Sequence, residues 1–185
     1  MPPGAPQVPC SHGIRAPVTG GCRLRPECVY ENPGVSDACR ICELNADVAT
    51  LPLRERLYLD EHWRISHGWT PLPGWLVVAS RRHVTALDEL GVEEAQALGR
   101  LLQSASVALR QVLGCEKTYV MLFAEQPGYG HMHVHVVPRM PWFGETERSA
   151  ASLRFLRAPE EEWVSTEERE RLAGAIGRMM LEQPP

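Results

Sequence analysis

The run His131-Met132-His133-Val134-His135-Val136-Val137 alternates imidazoles with apolar side chains. Period-two alternation in a Val-rich stretch is the signature of a strand, and on a strand residues i, i+2 and i+4 point to one face. The three imidazoles are therefore expected on one side, with Met132, Val134 and Val136 on the other. At a rise of about 3.3 Å per residue, neighbours on that face stand about 6.6 to 7 Å apart. A packed core would not select this arrangement, because each buried imidazole needs partners for both ring nitrogens. Such a row offers two chemistries. A neutral ring nitrogen can attack phosphorus and split a hard displacement into two easier ones. His-x-His on a strand is also a metal-ligand pattern, which would suit a metal-dependent hydrolase. Cys39-Arg40-Ile41-Cys42 adds a Cys-x-x-Cys loop, a spacing that seeds tetrahedral zinc sites and also serves redox chemistry.

These groups need a frame to hold them. Strands are expected at residues 56–59, 63–66, 74–79, 118–124 and 132–138. Residues 92–113 read as one long helix, with Leu98, Leu101, Leu102, Ala105, Val107 and Leu113 mainly along one face and Gly114 where a C-terminal cap belongs. A last helix is expected at about residues 165–181. Ser165 and Glu168 suit a capping box there, and Leu172, Ile176 and Met180 are spaced for packing. Strands flanking a long helix make an α+β sheet domain. Residues 1–37 are rich in Pro and Gly without an apolar period and read as a disordered extension. Residues 38–142 form the domain, and residues 143–185 form a C-terminal extension carrying the added helix.

Composition bounds the function. Of 185 residues 44% are apolar, enough for one core, and the net charge of -4 gives no global attraction to nucleic acid. No apolar run approaches the roughly 18–20 residues of a membrane span, and the N-terminal residues lack a signal peptide's apolar region. A cytoplasmic protein is expected, with no membrane or nucleic-acid partner. Six cysteines in such a chain suggest metal or thiol chemistry rather than a disulfide frame.

The triad and its surroundings resemble the histidine triad (HIT) family of nucleotide hydrolases and transferases. Pro138-Arg139 follows the triad as in many members. Upstream, Pro73-Gly74-Trp75-Leu76-Val77-Val78, Arg81-Arg82-His83-Val84 and Leu87-Asp88-Glu89-Leu90 are similar to the family's strand, basic pair, histidine and acidic helix entry. The resemblance spans residues 38–142, and Cys39 and Cys42 match its zinc-containing branch. It implies a HIT-like antiparallel sheet domain and a structural zinc held by Cys39, Cys42, His83 and His131. It implies His133 as the nucleophile that forms a nucleotidyl-histidine, and His135 as a donor to a phosphate oxygen or the leaving group. The implied partner is a small nucleotide or phosphate ester. The family also commonly pairs through the long helix and an edge strand, so a homodimer is expected. The strand at residues 118–124 is apolar on both faces and needs cover, which a second subunit or the C-terminal helix would supply.

The sequence also departs from the family. His67 stands where many members carry an acidic or amide group for the ribose, and Ala124 stands where they carry an Asn. The loop before the triad is Glu125-Gln126-Pro127-Gly128-Tyr129-Gly130, and Pro127 removes one backbone donor. Gln126, Gly128, Tyr129, Gly130 and His67 are the candidate substrate contacts, since glycines let backbone N–H groups approach a phosphate. An ordinary hairpin turn is the other reading of that loop. Trp75 could help rebuild the pocket, Arg139 is read as a surface residue, and Trp142 either stacks on a base or packs. Cys115 is read as buried. Cys10, His12, Cys22 and Cys28 fit no established ligand spacing. A regulator that binds a nucleotide without turnover is the alternative to an enzyme.

Overall fold

The computed structural model describes residues 39–182. The expectations for residues 1–37, including Cys10, His12, Cys22 and Cys28, lie outside the described residues. The chain enters through a short helix α1 (Arg40–Ala46), followed by strands β1 (Tyr58–Leu59), β2 (Trp63–His67) and β3 (Leu76–Ser80). The long helix α2 (Val92–Leu113), strands β4 (Lys117–Leu122) and β5 (His133–Arg139), and helix α3 (Thr166–Glu182) complete it. The strands form one antiparallel sheet in the order β1-β2-β3-β5-β4. This is the α+β architecture expected from the sequence, with the long helix and the added C-terminal helix in place.

The two sheet faces do different work. On one, Trp63, Ile65, Leu76, Val78, Val134 and Val136 meet Leu98, Leu101, Ala105 and Leu109 of α2 and Leu172, Ile176 and Met180 of α3 in a single core. On the other, Val77, Tyr119, Met121 and Val137 pack under Leu72, Trp75, Phe143 and Phe155. The rest of that second face is not sealed. Arg64, Ser66, Ala79, His133 and His135 line a cavity there.

Helix ends follow the local chemistry. Gly114 ends α2 in the left-handed region (φ 68°) and its N–H reaches the Arg110 carbonyl at 3.0 Å, a conformation that glycine adopts without penalty. At α3, Ser165 Oγ accepts from the Glu168 N–H at 3.2 Å, but the Glu168 carboxylate pairs with Arg171 at 2.6 Å, so only half of the expected capping box forms. Helix α3 packs on α2, on residues 53–55 and on β2, at the β1–β2 end of the sheet. It therefore leaves β4 an open edge, with Val120 and Phe123 exposed at 50% and 53%. The idea that this helix covers β4 is corrected accordingly. Its anchor is Arg169, which is fully buried. Arg169 Nη2 donates to Glu55 Oε1 and to the His67 carbonyl at 3.1 Å each, and the guanidinium stacks 3.6 Å above the Trp69 ring.

His67 staples the β2–β3 turn. A carbonyl only accepts, so the 2.8 Å contact to Gly68 O puts the proton on Nδ1, and Nε2 then accepts the Gly74 N–H at 2.9 Å. Gly74 itself has φ 78°, a conformation strained for any residue with a Cβ, and a Cβ there would also press on the Leu113 side chain. Burial, reinforced by the Arg169 charge and opposed by the Gly68 carbonyl and Glu168, lowers the His67 pKa to about 4. The neutral form is the folded form. Stability from this group is thus complete above the unfolded value of about 6.5 and is lost as pH falls toward about 4, by up to roughly 3 kcal/mol. The melting temperature of His67→Asn should therefore fall less between pH 7 and pH 4.5 than that of the parent. Equal falls would show that His67 carries no such linkage.

Candidate active site and metal centre

Strand β5 begins at His133, so strict alternation governs only His133 and His135. His131 stands just ahead of the strand, where the Met132 N–H donates to the Val84 carbonyl at 2.6 Å and the Ser80 N–H to the Met132 carbonyl at 3.2 Å. His131 is fully buried. Its Nε2 contacts the Ser80 carbonyl at 2.8 Å and the Ser80 hydroxyl at 2.9 Å, so Nε2 carries the proton. The lone pair is then on Nδ1, which faces Cys39 Sγ at 3.5 Å and Cys42 Sγ at 3.4 Å.

His83 completes this cluster, with Nδ1 at 3.2 Å from Cys42 Sγ. Its loop is pinned to the start of α2 by the Arg82 guanidinium, which meets the Glu94 carboxylate at 3.1 and 2.7 Å. Arg82 and the Gly91 N–H hold the Glu94 carboxyl down to about 2. The four ligand atoms of Cys39, Cys42, His83 and His131 lie within 4.8 Å of one another. Tetrahedral zinc with bonds of about 2.0–2.3 Å sets its ligand atoms about 3.3–3.8 Å apart. The contacts at 3.4 and 3.5 Å fall in that range and the one at 3.2 Å just below it. Burial and the neighbouring Cys39 push the Cys42 thiol up to about 11. A divalent cation supplies the charge that turns such a thiol into a ligand thiolate. The donor set, its spacing and the His131–Ser80 carbonyl bond, which fixes the liganding tautomer, all fit zinc.

His133 and His135 project into a cavity of about 500 Å³. His133 Nδ1 lies 2.7 Å from the His131 carbonyl and must donate to it, which leaves Nε2 with a free lone pair. At His135 the order is reversed. The Trp75 indole N–H donates to His135 Nδ1 at 3.0 Å, so the His135 proton sits on Nε2. Burial lowers both pKa values, that of His135 to about 4 with help from the adjacent His133. The pair therefore consists of one neutral ring that presents an electron pair and one that presents an N–H.

Of the candidate substrate contacts, Gln126 and Tyr129 line the cavity. Gly128 and Gly130 do not, and the Gly128 carbonyl instead accepts the Arg40 N–H at 2.9 Å. His67 lines the cavity with both ring nitrogens already bonded. Ala124 takes φ 54°, a left-handed conformation that Asn tolerates better than Ala. Cys115 is buried, and Trp142 is 59% exposed beside Phe143 and Phe155. The Arg139 guanidinium pairs with Glu116. Sequence reasoning passed over Arg64, Asn45 and Glu55. The available signal was an arginine between the apolar Trp63 and Ile65 in a strand.

No family model matches this sequence, and no curated protein matches it. Solved structures do. A zinc-bound histidine triad family protein from Mycobacterium smegmatis aligns with a TM-score of 0.57 at 20% identity, over 78% of this chain and 96% of that one. A hypothetical histidine triad nucleotide-binding protein from Sulfolobus tokodaii aligns with a TM-score of 0.59 at 15% identity, over 78% and 93%. A uridylyltransferase aligns with a TM-score of 0.53 at 18% identity, over 78% of this chain and 46% of the enzyme. This chain has the fold of the histidine triad proteins. Among the described residues no helix is long and apolar enough to cross a membrane.

Proposed function

We propose that this chain is a histidine triad hydrolase or nucleotidyltransferase that acts on a phosphoanhydride or phosphoramidate of a nucleotide through a covalent nucleotidyl-histidine at His133. The observation that carries this reading is the 2.7 Å bond from His133 Nδ1 to the His131 carbonyl, which frees Nε2 for attack. Nε2 forms a bond to phosphorus as the bond to the leaving group breaks. An anhydride leaving group departs as a phosphate anion, and the nitrogen of a phosphoramidate, protonated from solvent, departs as a neutral amine. The Nδ1–H bond to the carbonyl then supports the imidazolium. His135 keeps its proton and directs Nε2–H at a phosphoryl oxygen, stabilising the charge that builds there. Water or an acceptor hydroxyl attacks phosphorus next, the P–N bond returns its pair to Nε2, and the displaced proton goes to solvent.

Zinc fits Cys39, Cys42, His83 and His131 with a closed four-ligand shell, so its contribution is structural. It would tie α1 to the chain entering β5 and thereby fix His131, whose carbonyl orients His133. The alternative of a catalytic metal on the triad is disfavoured because His131 Nδ1 faces two thiols while His133 Nδ1 is spent on a carbonyl.

The test is a panel of nucleotides, dinucleoside polyphosphates and phosphoramidates labelled at the reacting phosphorus. Acid-labile label on His133 with concurrent turnover is the expected result. Substrate binding with neither label nor turnover would leave the nucleotide-binding regulator.

The open β4 edge favours a homodimer in which two sheets meet, since an uncovered edge strand with apolar residues on both faces is otherwise a liability. Light scattering at micromolar concentration should give twice the 20.7 kDa chain mass, and a mass near 20.7 kDa would refute the dimer.

A further inference from the structure

The floor of the catalytic cavity holds a buried arginine that makes no contact ion pair among the described residues. Arg64 is 2% exposed and lines the cavity with His133. Its Nε donates to Asn45 Oδ1 at 2.9 Å and its Nη1 to the Glu55 carbonyl at 2.6 Å. Asn45 is itself held by the Ser80 carbonyl at 2.9 Å, so the guanidinium is fixed in place. Nη2 and the second Nη1 hydrogen have no protein acceptor among the described residues. No carboxylate there pairs with Arg64 either. Arg40 and Arg54, also on the cavity wall, pair with Glu43 at 2.8 Å and Glu170 at 3.4 Å. Glu55, the carboxylate on that wall, is taken by Arg169 at 3.1 Å. Burial disfavours the charge and lowers the Arg64 pKa, and the nearby Glu55 carboxylate, already held by Arg169, opposes this only in part. A positioned cation that faces an open cavity is a site waiting for an anion.

Register places this cation relative to the chemistry. Arg64 pairs with Ala79, and Ala79 pairs with His133. Directly paired residues share a face, so Arg64 and His133 stand in one row, about 10 Å apart at Cα from two strand spacings of about 4.8 Å. We propose that Arg64 is a specificity residue that binds a second anionic group of the substrate, separate from the phosphoryl group that meets His133. This rests on the phosphoryl-transfer reading above. The substrate class narrows to nucleotides with at least two anionic groups. The second lies either next in the phosphate chain or on the sugar. With His67 occupied in the β2–β3 turn, the grip on the substrate passes from hydroxyl recognition to charge.

The experiment measures dissociation constants on zinc-loaded full-length protein by calorimetry. Three ligands are compared for each of the four ribonucleosides: the 5′-monophosphate, the 3′,5′-bisphosphate and the uncleavable α,β-methylene diphosphate. In the wild type the added anion should tighten binding by about tenfold or more, the scale of a charge-assisted bond to a fixed guanidinium. The arm that gains identifies whether the second anion sits on the sugar or along the phosphate chain. The ratio should collapse toward one in Arg64→Gln and persist in part in Arg64→Lys. A wild-type ratio near one in both arms overturns the inference even if the glutamine variant fails to fold, and so does an unchanged ratio in a folded Arg64→Gln. The labelled adduct is read separately: label on His133 with a flat ratio removes this inference alone, and a steep ratio without label removes the covalent mechanism alone.

Discussion

Replacing His133 with alanine is expected to cut turnover by roughly a thousandfold or more, because the covalent route is then closed. The fold should survive. His133 is only partly buried and its ring makes one hydrogen bond, to the His131 carbonyl. Losing such a bond costs about 1 kcal/mol, which lowers the melting temperature by about 2–4 °C in a chain of this size. His135→Ala should be milder, roughly 10- to 100-fold, since it removes an N–H directed at charge rather than the attacking atom. Steady-state rates on the best substrate of the panel, measured beside thermal melts, separate the two effects. A His133→Ala protein that keeps a near-parental rate would refute the mechanism outright.

Removing the thiolates should strike the fold rather than the chemistry alone. The parent is expected to carry about one zinc per chain, and the double variant Cys39→Ser, Cys42→Ser almost none, by elemental analysis. A ligand held at about a thousandfold above its dissociation constant stabilises by roughly 4 kcal/mol, so the melting temperature should drop by about 8–16 °C. Activity should fall with it, because α1 and the residues entering β5 lose their common anchor. Undiminished zinc in the double variant would sink the assignment. Zinc that followed Cys22 and Cys28 instead would place the metal in residues outside the described chain.

The elements that the sequence revealed best are those with a local cause. The apolar stripe of α2 and Gly114 behind it set its limits at Val92 and Leu113. The alternation from His133 to Val137 made β5 legible, and the spacing of Leu172, Ile176 and Met180 located α3. The Cys-x-x-Cys loop and the histidines were likewise visible as residue types. The chemistry they can do was readable because it depends on side-chain identity at short range.

What the tertiary structure decided is everything that depends on which backbone carbonyl or distant side chain meets each ring. The His133 tautomer is set by a carbonyl, and carbonyls carry no sequence signature. The His135 tautomer is set by Trp75, 60 residues away in the chain. His67 could be read as a pocket residue until the Gly68 carbonyl and Gly74 N–H were seen to use both its nitrogens. Arg64 gains meaning only through strand register, which puts it in the row of His133 and under Asn45 of α1. The position of α3 was equally beyond local reading: its stripe specifies that it must bury a face, while buried Arg169, reaching Glu55 and the His67 carbonyl, brings it to the β1–β2 end. Periodicity reports that a surface needs cover, but only the three-dimensional meeting of specific donors and acceptors determines what covers it.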